Sequence, residues 1–300
     1  MNLKLPGKSD LFRVAAAVLL LTATARAAEP LEVIAGVPPV AYLVERIGGE
    51  HVAVDVLLQP GQDPHTYEPT PKQVRSLARA KLFFRVGMPF EDRLIEKIQS
   101  AHENIAIVDT TSGITKRLAA PDEGHDHGGR GDEHHAEADY DPHVWLSPPN
   151  LRVQAENIAA ALAKADAQHA ADYRANQERL DADLAALDAR IAARIKPFAG
   201  RIMFVFHPAF GYFADRYGLK QKAIQAGGKQ PSLMQLQKLI HEAKAAKAKT
   251  VFVQPQFDPR SAAAVADAIG GKAVPLNDMS KDVFANLEEI AGKVEQGLRQ

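Results

Sequence analysis

Residues 166–197 read DAQHAADYRANQERLDADLAALDARIAARIKP, and this stretch decides the architecture. Tyr173, Leu180, Leu184, Leu187, Ile191 and Ile195 recur at the spacing of one stripe of an α-helix, with charged residues and alanines between them. Pro197 stops the pattern, because a residue without an N–H cannot continue the hydrogen-bond ladder. About 30 residues at about 1.5 Å each make a rod of about 45 Å. A helix that long reaches across two lobes and serves as a rigid connector between them.

On either side of this helix the sequence alternates between short β-type runs and amphipathic segments. Before it, Leu31 to Val37, Val52 to Leu58, Leu82 to Val86 and Ile105 to Val108 read as strands. Helical patterns at Val40 to Ile47, 71–80 and Phe90 to Ser100 separate them. Ser147-Pro148-Pro149 signals a further helix start, followed by Leu151, Ala155, Ile158 and Leu162. After Pro197, strands are expected at Ile202 to Phe206, Val251 to Val253 and Ala273 to Leu276. Helices are expected at Phe210 to Tyr217, Ser232 to Lys247, Ser261 to Ile269 and from about Phe284 onward. Such alternation predicts an α/β fold with two lobes of mainly parallel sheet, joined by a single long backbone helix.

The first residues carry an address. Lys4, Lys8 and Arg13 precede a short apolar run from Val14 to Leu21, and small residues follow through Ala27-Ala28. That order is a secretory signal peptide, and its apolar core falls short of the roughly 20 residues that span a bilayer. The expected division is therefore a signal peptide at 1–28, an N-terminal lobe at 29–165, the connecting helix at 166–196 and a C-terminal lobe at 197–300. The chain contains no Cys, so no lipidated cysteine anchor and no thiolate metal site are expected. Roughly 270 residues can bury a sufficient core without disulfides. A net charge of −1 gives no attraction toward nucleic acid or an anionic membrane. A periplasmic monomer is expected.

Among eleven histidines, three sit beyond expected strand ends or in Pro-rich turns. His65 lies in Asp63-Pro64-His65-Thr66-Tyr67-Glu68-Pro69, His143 in Asp141-Pro142-His143-Val144-Trp145-Leu146-Ser147-Pro148, and His207 in Phe206-His207-Pro208. Open α/β sheets bind ligands at the carboxyl ends of their strands. A neighbouring proline restricts the backbone, so less freedom is lost when the imidazole is held. Asp63, Glu68 and Asp141 can take the second ring N–H and orient the ligand. A single His in a turn is usually a surface residue, but the Asp-Pro-His tripeptide occurs twice here. His51, His102, His169 and His241 read as background.

Taken together, DPHTYEPTP, DPHVWLSP, HPAFGYFADRYGL and VQPQFDPRSA resemble segments of the periplasmic zinc/manganese solute-binding proteins of ABC metal importers, zinc-type members in particular. The similarity covers essentially the whole chain after the signal peptide. It implies a metal bound between two α/β lobes, delivery to a membrane permease and its ATPase, and His65, His143 and His207 as ligands. Manganese-selective relatives tend to carry a carboxylate at the position matching His207. Three imidazoles favour zinc, which accepts tetrahedral nitrogen coordination, over manganese. For the fourth position, a gapless match puts Asn277 where many relatives have Asp, and Asp278 fits after a one-residue shift. Some zinc-type relatives place a Glu before the first His, where this chain has Pro64. Asp278 or a water completes the shell.

Residues 121–138 have no aliphatic periodicity and contain His125, His127, His134 and His135 with Asp126 and Glu133. They read either as a collector that passes zinc inward or as a solvated insertion with weak binding. Three His and a water is also the pattern of a catalytic zinc, so a zinc-dependent hydrolase is the competing reading. The sequence has no H-E-x-x-H and no evident general base.

Overall fold

The computed structural model describes residues 29–59, 61–62, 64, 66–101, 105–119, 140–224, 233–257 and 259–299. The expected signal peptide at 1–28, His65, His102 and the His-rich stretch at 121–138 lie outside the described residues. Leu31–Gln300 forms one compact unit.

That unit contains two four-stranded parallel sheets. In the first, β1 (Leu31–Ala35), β2 (Val52–Val56), β3 (Leu82–Arg85) and β4 (Ala106–Asp109) lie in the order β2-β1-β3-β4. The second repeats the arrangement with β5 (Ile202–Val205), β6 (Lys220–Ala223), β7 (Thr250–Val253) and β8 (Lys272–Pro275), in the order β6-β5-β7-β8. Helices α1 (Pro38–Gly48), α2 (Pro71–Arg79), α3 (Pro89–Ala101) and α4 (Pro148–Ala165) belong to the first lobe. The second contributes α6 (Gly211–Arg216), α7 (Leu233–Ala245), α8 (Pro259–Ala268) and α9 (Val283–Leu298). The chain is a two-lobe α/β protein, and α5 (Ala170–Ile195) runs between the sheets.

Helix α5 has 26 residues, and its buried members are the six residues of the apolar stripe. It packs on α1 and α4 in the first lobe and on α9 in the second. A single apolar cluster accordingly runs from Val33 and Phe83 through Leu180 and Ile191 to Phe213 and Leu287. Ion pairs line the exposed side of α5, among them Arg46–Asp183 at 2.8 Å and Arg190–Glu288 at 2.7 Å.

Two elements depart from the sequence expectation. The long helix begins at Ala170 and not at Asp166, after a 3-10 turn at Ala167–His169. Asp166 has a non-helical backbone, and its carboxylate accepts from Tyr173 Oη at 2.7 Å and pairs with His169 Nδ1 at 2.6 Å. Strand β6, Lys-Gln-Lys-Ala, was not anticipated. It pairs only with β5 at the sheet edge, where charged side chains discourage further strand pairing and erase the apolar signature.

Candidate metal centre

The carboxyl ends of the central strands and the loops beyond them set up the site. In the first lobe, the loop leaving β2 is held by Leu57 N and Leu58 N, which donate to Ala35 O and Gly36 O at 3.0 Å. At its far end Thr70 and Gln73 form a reciprocal cap at the start of α2. The Gln73 amide also donates back to Leu57 O at 2.5 Å. Tyr67 packs its ring against Phe90, centroids 4.8 Å apart. The chain flanking His65 is therefore tied to β1, α2 and α3, although His65 itself lies outside the described residues.

His143 precedes a 3-10 turn at Val144–Leu146, whose Trp145 is fully buried. The Asp141 carboxylate accepts from the His143 backbone N–H at 3.0 Å and contacts ring Nδ1 at 2.8 Å. Holding Nδ1 this way fixes the ring and presents Nε2 as the nitrogen that could ligate an ion. Asp141 is in turn anchored from both lobes. Arg117 Nη1 reaches its Oδ2 at 3.3 Å and Arg117 Nε donates to Asp215 on α6 at 3.1 Å. The Tyr212 hydroxyl accepts from the Arg117 backbone at 2.9 Å and donates to Asp141 O at 3.1 Å. Gly211 is demanded by this packing: a Cβ there would lie 2.6 Å from Arg117 Nη1 and 2.7 Å from Asp141 Oδ2.

His207 stands just past the end of β5, buried, with its ring against Phe257 at 5.0 Å. The Gln254 side chain clamps its backbone, donating to His207 O at 2.8 Å and accepting from His207 N at 3.3 Å. The rings of His143 and His207 meet edge to face, centroids 5.4 Å apart. The first lobe supplies one of these imidazoles and the second lobe the other.

Asp278 lies just past β8 and is 1% exposed. Gln256 Nε2 donates to its two carboxylate oxygens at 3.0 and 3.2 Å, and its backbone carbonyl accepts from Trp145 Nε1 at 2.6 Å. Burial pushes the carboxyl up from its ordinary range, while the charge of His143 and the Gln256 hydrogen bond oppose that shift. Asn277 is exposed and turns its side chain onto Met279 N at 2.9 Å, a local turn contact. Of the two fourth-position candidates, Asp278, and not Asn277, is buried and feels the charge of His143. Among the described residues no three His or carboxylate groups converge tightly enough to hold an ion by themselves.

Sequence reading missed several residues around the centre. Gln254 and Gln256 were visible only as part of VQPQF, and their alternation beyond a strand end was the available signal. Arg117 and Glu91 gave none. Glu91 is wholly buried, its Oε2 accepting from Val86, Gly87 and Met88 N–H groups at 3.0, 2.8 and 2.8 Å. Burial pushes its carboxyl up to about 7 against the pull of those hydrogen bonds. Two background histidines turn out to be paired: the His51 and His169 rings stack at 3.8 Å, contacting Asp172 and Asp166 respectively. They brace the start of α5.

Comparison with known proteins identifies the family. The family model described as "ZnuA: Zinc-uptake complex component A periplasmic" matches residues 33–289. The "High-affinity zinc uptake system protein ZnuA" of Paracoccus denitrificans is 30% identical over 286 residues, covering 84% of each chain. A crystal structure of ZnuA superposes with a TM-score of 0.81 at 33% identity, over 90% of this chain and 99% of that one. A manganese-bound periplasmic metal-binding protein from Candidatus Liberibacter asiaticus shares the fold, with a TM-score of 0.76 at 19% identity over 89% and 98% of the two chains. The chain belongs to the periplasmic ZnuA family, whose members are metal-binding components of transporters and not enzymes.

Proposed function

We propose that this protein captures zinc in the periplasm with His65, His143, His207 and Asp278, and delivers it as cargo to the permease of an ABC importer driven by its ATPase. In this reading residues 1–28 are the export signal, and the lobes at 29–165 and 197–300 flank the connecting segment 166–196. The observation that carries it is the meeting of His143 and His207 from opposite lobes, edge to face at 5.4 Å, with the buried Asp278 carboxylate within the electrostatic reach of His143. Three imidazoles and one carboxylate form a nitrogen-rich set suited to four-coordinate zinc and poor for manganese, which favours oxygen donors. Asp141 is held by His143 and Arg117, and Asp278 accepts from Gln256.

Native mass spectrometry of protein purified without added metal tests the ion and its stoichiometry together. The expected result is one zinc per chain, lost in His143→Ala. Preferential retention of manganese when both ions are offered equally would overturn the zinc assignment.

A further inference from the structure

We propose that Gln256 sets the ion preference of the centre by occupying the chelating edge of the Asp278 carboxylate, so that Asp278 ligates through a single oxygen. This rests on the metal-capture reading above. Gln256 Nε2 lies 3.0 Å from one carboxylate oxygen and 3.2 Å from the other. A donor nearly equidistant from both oxygens sits close to the bisector of the carboxylate, which is where an ion chelated by both would sit. An ion held by His143 and His207 must then approach Asp278 on a lone pair away from that bisector, and it meets one oxygen.

The surroundings keep this arrangement in place. Asp278 is 1% exposed, and its backbone is pinned through the Trp145 indole at 2.6 Å. Its carboxylate therefore has little freedom to turn a fresh edge toward the ion. Gln254, two residues before Gln256, has both ends of its amide committed to the His207 backbone, so the two glutamines divide the work between His207 and Asp278. Pro255 between them restricts the backbone that sets their spacing. A hard ion such as manganese seeks a larger, oxygen-rich shell, which a second carboxylate oxygen would help to fill. Tetrahedral zinc needs only one oxygen beside three nitrogens. The amide thus costs manganese a ligand atom and costs zinc none.

The test compares the full chain with Gln256→Ala and with Gln256→Asn, whose amide is one methylene too short to reach both oxygens. Zinc and manganese affinities are measured by competition with a chromophoric chelator, and the visible spectrum of the cobalt adduct is recorded for each protein. The zinc-to-manganese affinity ratio should fall by about tenfold or more in both variants. The cobalt bands should weaken as a further oxygen joins the shell. A ratio within about twofold of the wild type while both ions still bind, or an unchanged cobalt spectrum in both variants, would overturn the proposal. Asp278→Ala separates the two levels of the argument. An unaltered cobalt spectrum in that variant removes Asp278 from the shell and sinks this proposal while capture by the histidines stands. A wild-type chain that binds neither ion sinks both.

Discussion

The Trp145 indole N–H donates to the backbone carbonyl of Asp278 across 2.6 Å, and so joins the turn that carries His143 to the chain leaving β8. Both partners are buried, so neither can exchange this bond for water. Trp145→Phe keeps the aromatic packing but leaves a buried carbonyl without its donor. The expected cost is about 1–3 kcal/mol, read as a lower urea midpoint, with weaker zinc binding alongside. An unchanged midpoint would mean that the bond contributes nothing net.

Asp141 is the orienting partner of His143, through ring Nδ1 at 2.8 Å and the backbone N–H at 3.0 Å. Asp141→Ala removes this hold on the ring and one of the carboxylate partners of Arg117. Zinc affinity should drop about 10–100-fold, the usual cost of losing a partner that orients a metal-ligating imidazole. Isothermal titration against a competing chelator measures it, and wild-type affinity would refute the orienting role.

Gly211→Ala probes the same network from the second lobe. The added methyl would sit 2.6 Å from Arg117 Nη1 and 2.7 Å from Asp141 Oδ2, which forces the ion pair apart. A lower melting temperature and weaker zinc binding are expected. Arg117→Ala removes one of the clashing groups, so the double variant should lose less than the sum of the single losses. Strict additivity would show that Gly211 and Arg117 do not interact.

Glu91 makes stability depend on pH. Its carboxyl titrates near 7 when folded, against an ordinary value of 4.5, so between those values only the native state holds the proton. The stabilisation from this group is complete below about pH 4.5 and is lost as pH rises through about 7, a change of about 3 kcal/mol. Glu91→Gln cannot ionise and should abolish that decline. Urea denaturation of both proteins across the interval measures the difference, and parallel profiles would count against it.

Much of the fold could be read from periodicity. The stripe of α5 was visible because each of its apolar members is wholly buried, and β5 and β7 announce themselves as short apolar runs. Strand β6 could not be read, since an edge strand with two lysines carries no burial pattern. The start of α5 was misplaced because Asp166 bonds to Tyr173 and His169, a tertiary choice with no local signature. At the site, the sequence pointed to His143 through its Pro-rich turn and to His207 through its place beyond a strand, and the structure brings the two rings together. Asp278 and Asn277 were separable only by burial. The roles of Arg117, Gln254 and Gln256 depend on contacts between distant segments, which spacing along the chain does not encode.

The apolar cluster threaded by α5 is continuous from one sheet to the other, and that continuity governs how the molecule can move. Swinging the lobes apart would strip cover from α5, where each large side chain is worth about 1.5–3 kcal/mol in contact with its neighbours. Uncovering several of them together costs a multiple of that, so a widely opened state is sparsely populated. The protein is a socket and not a jaw: its grip cannot slacken by yawning open.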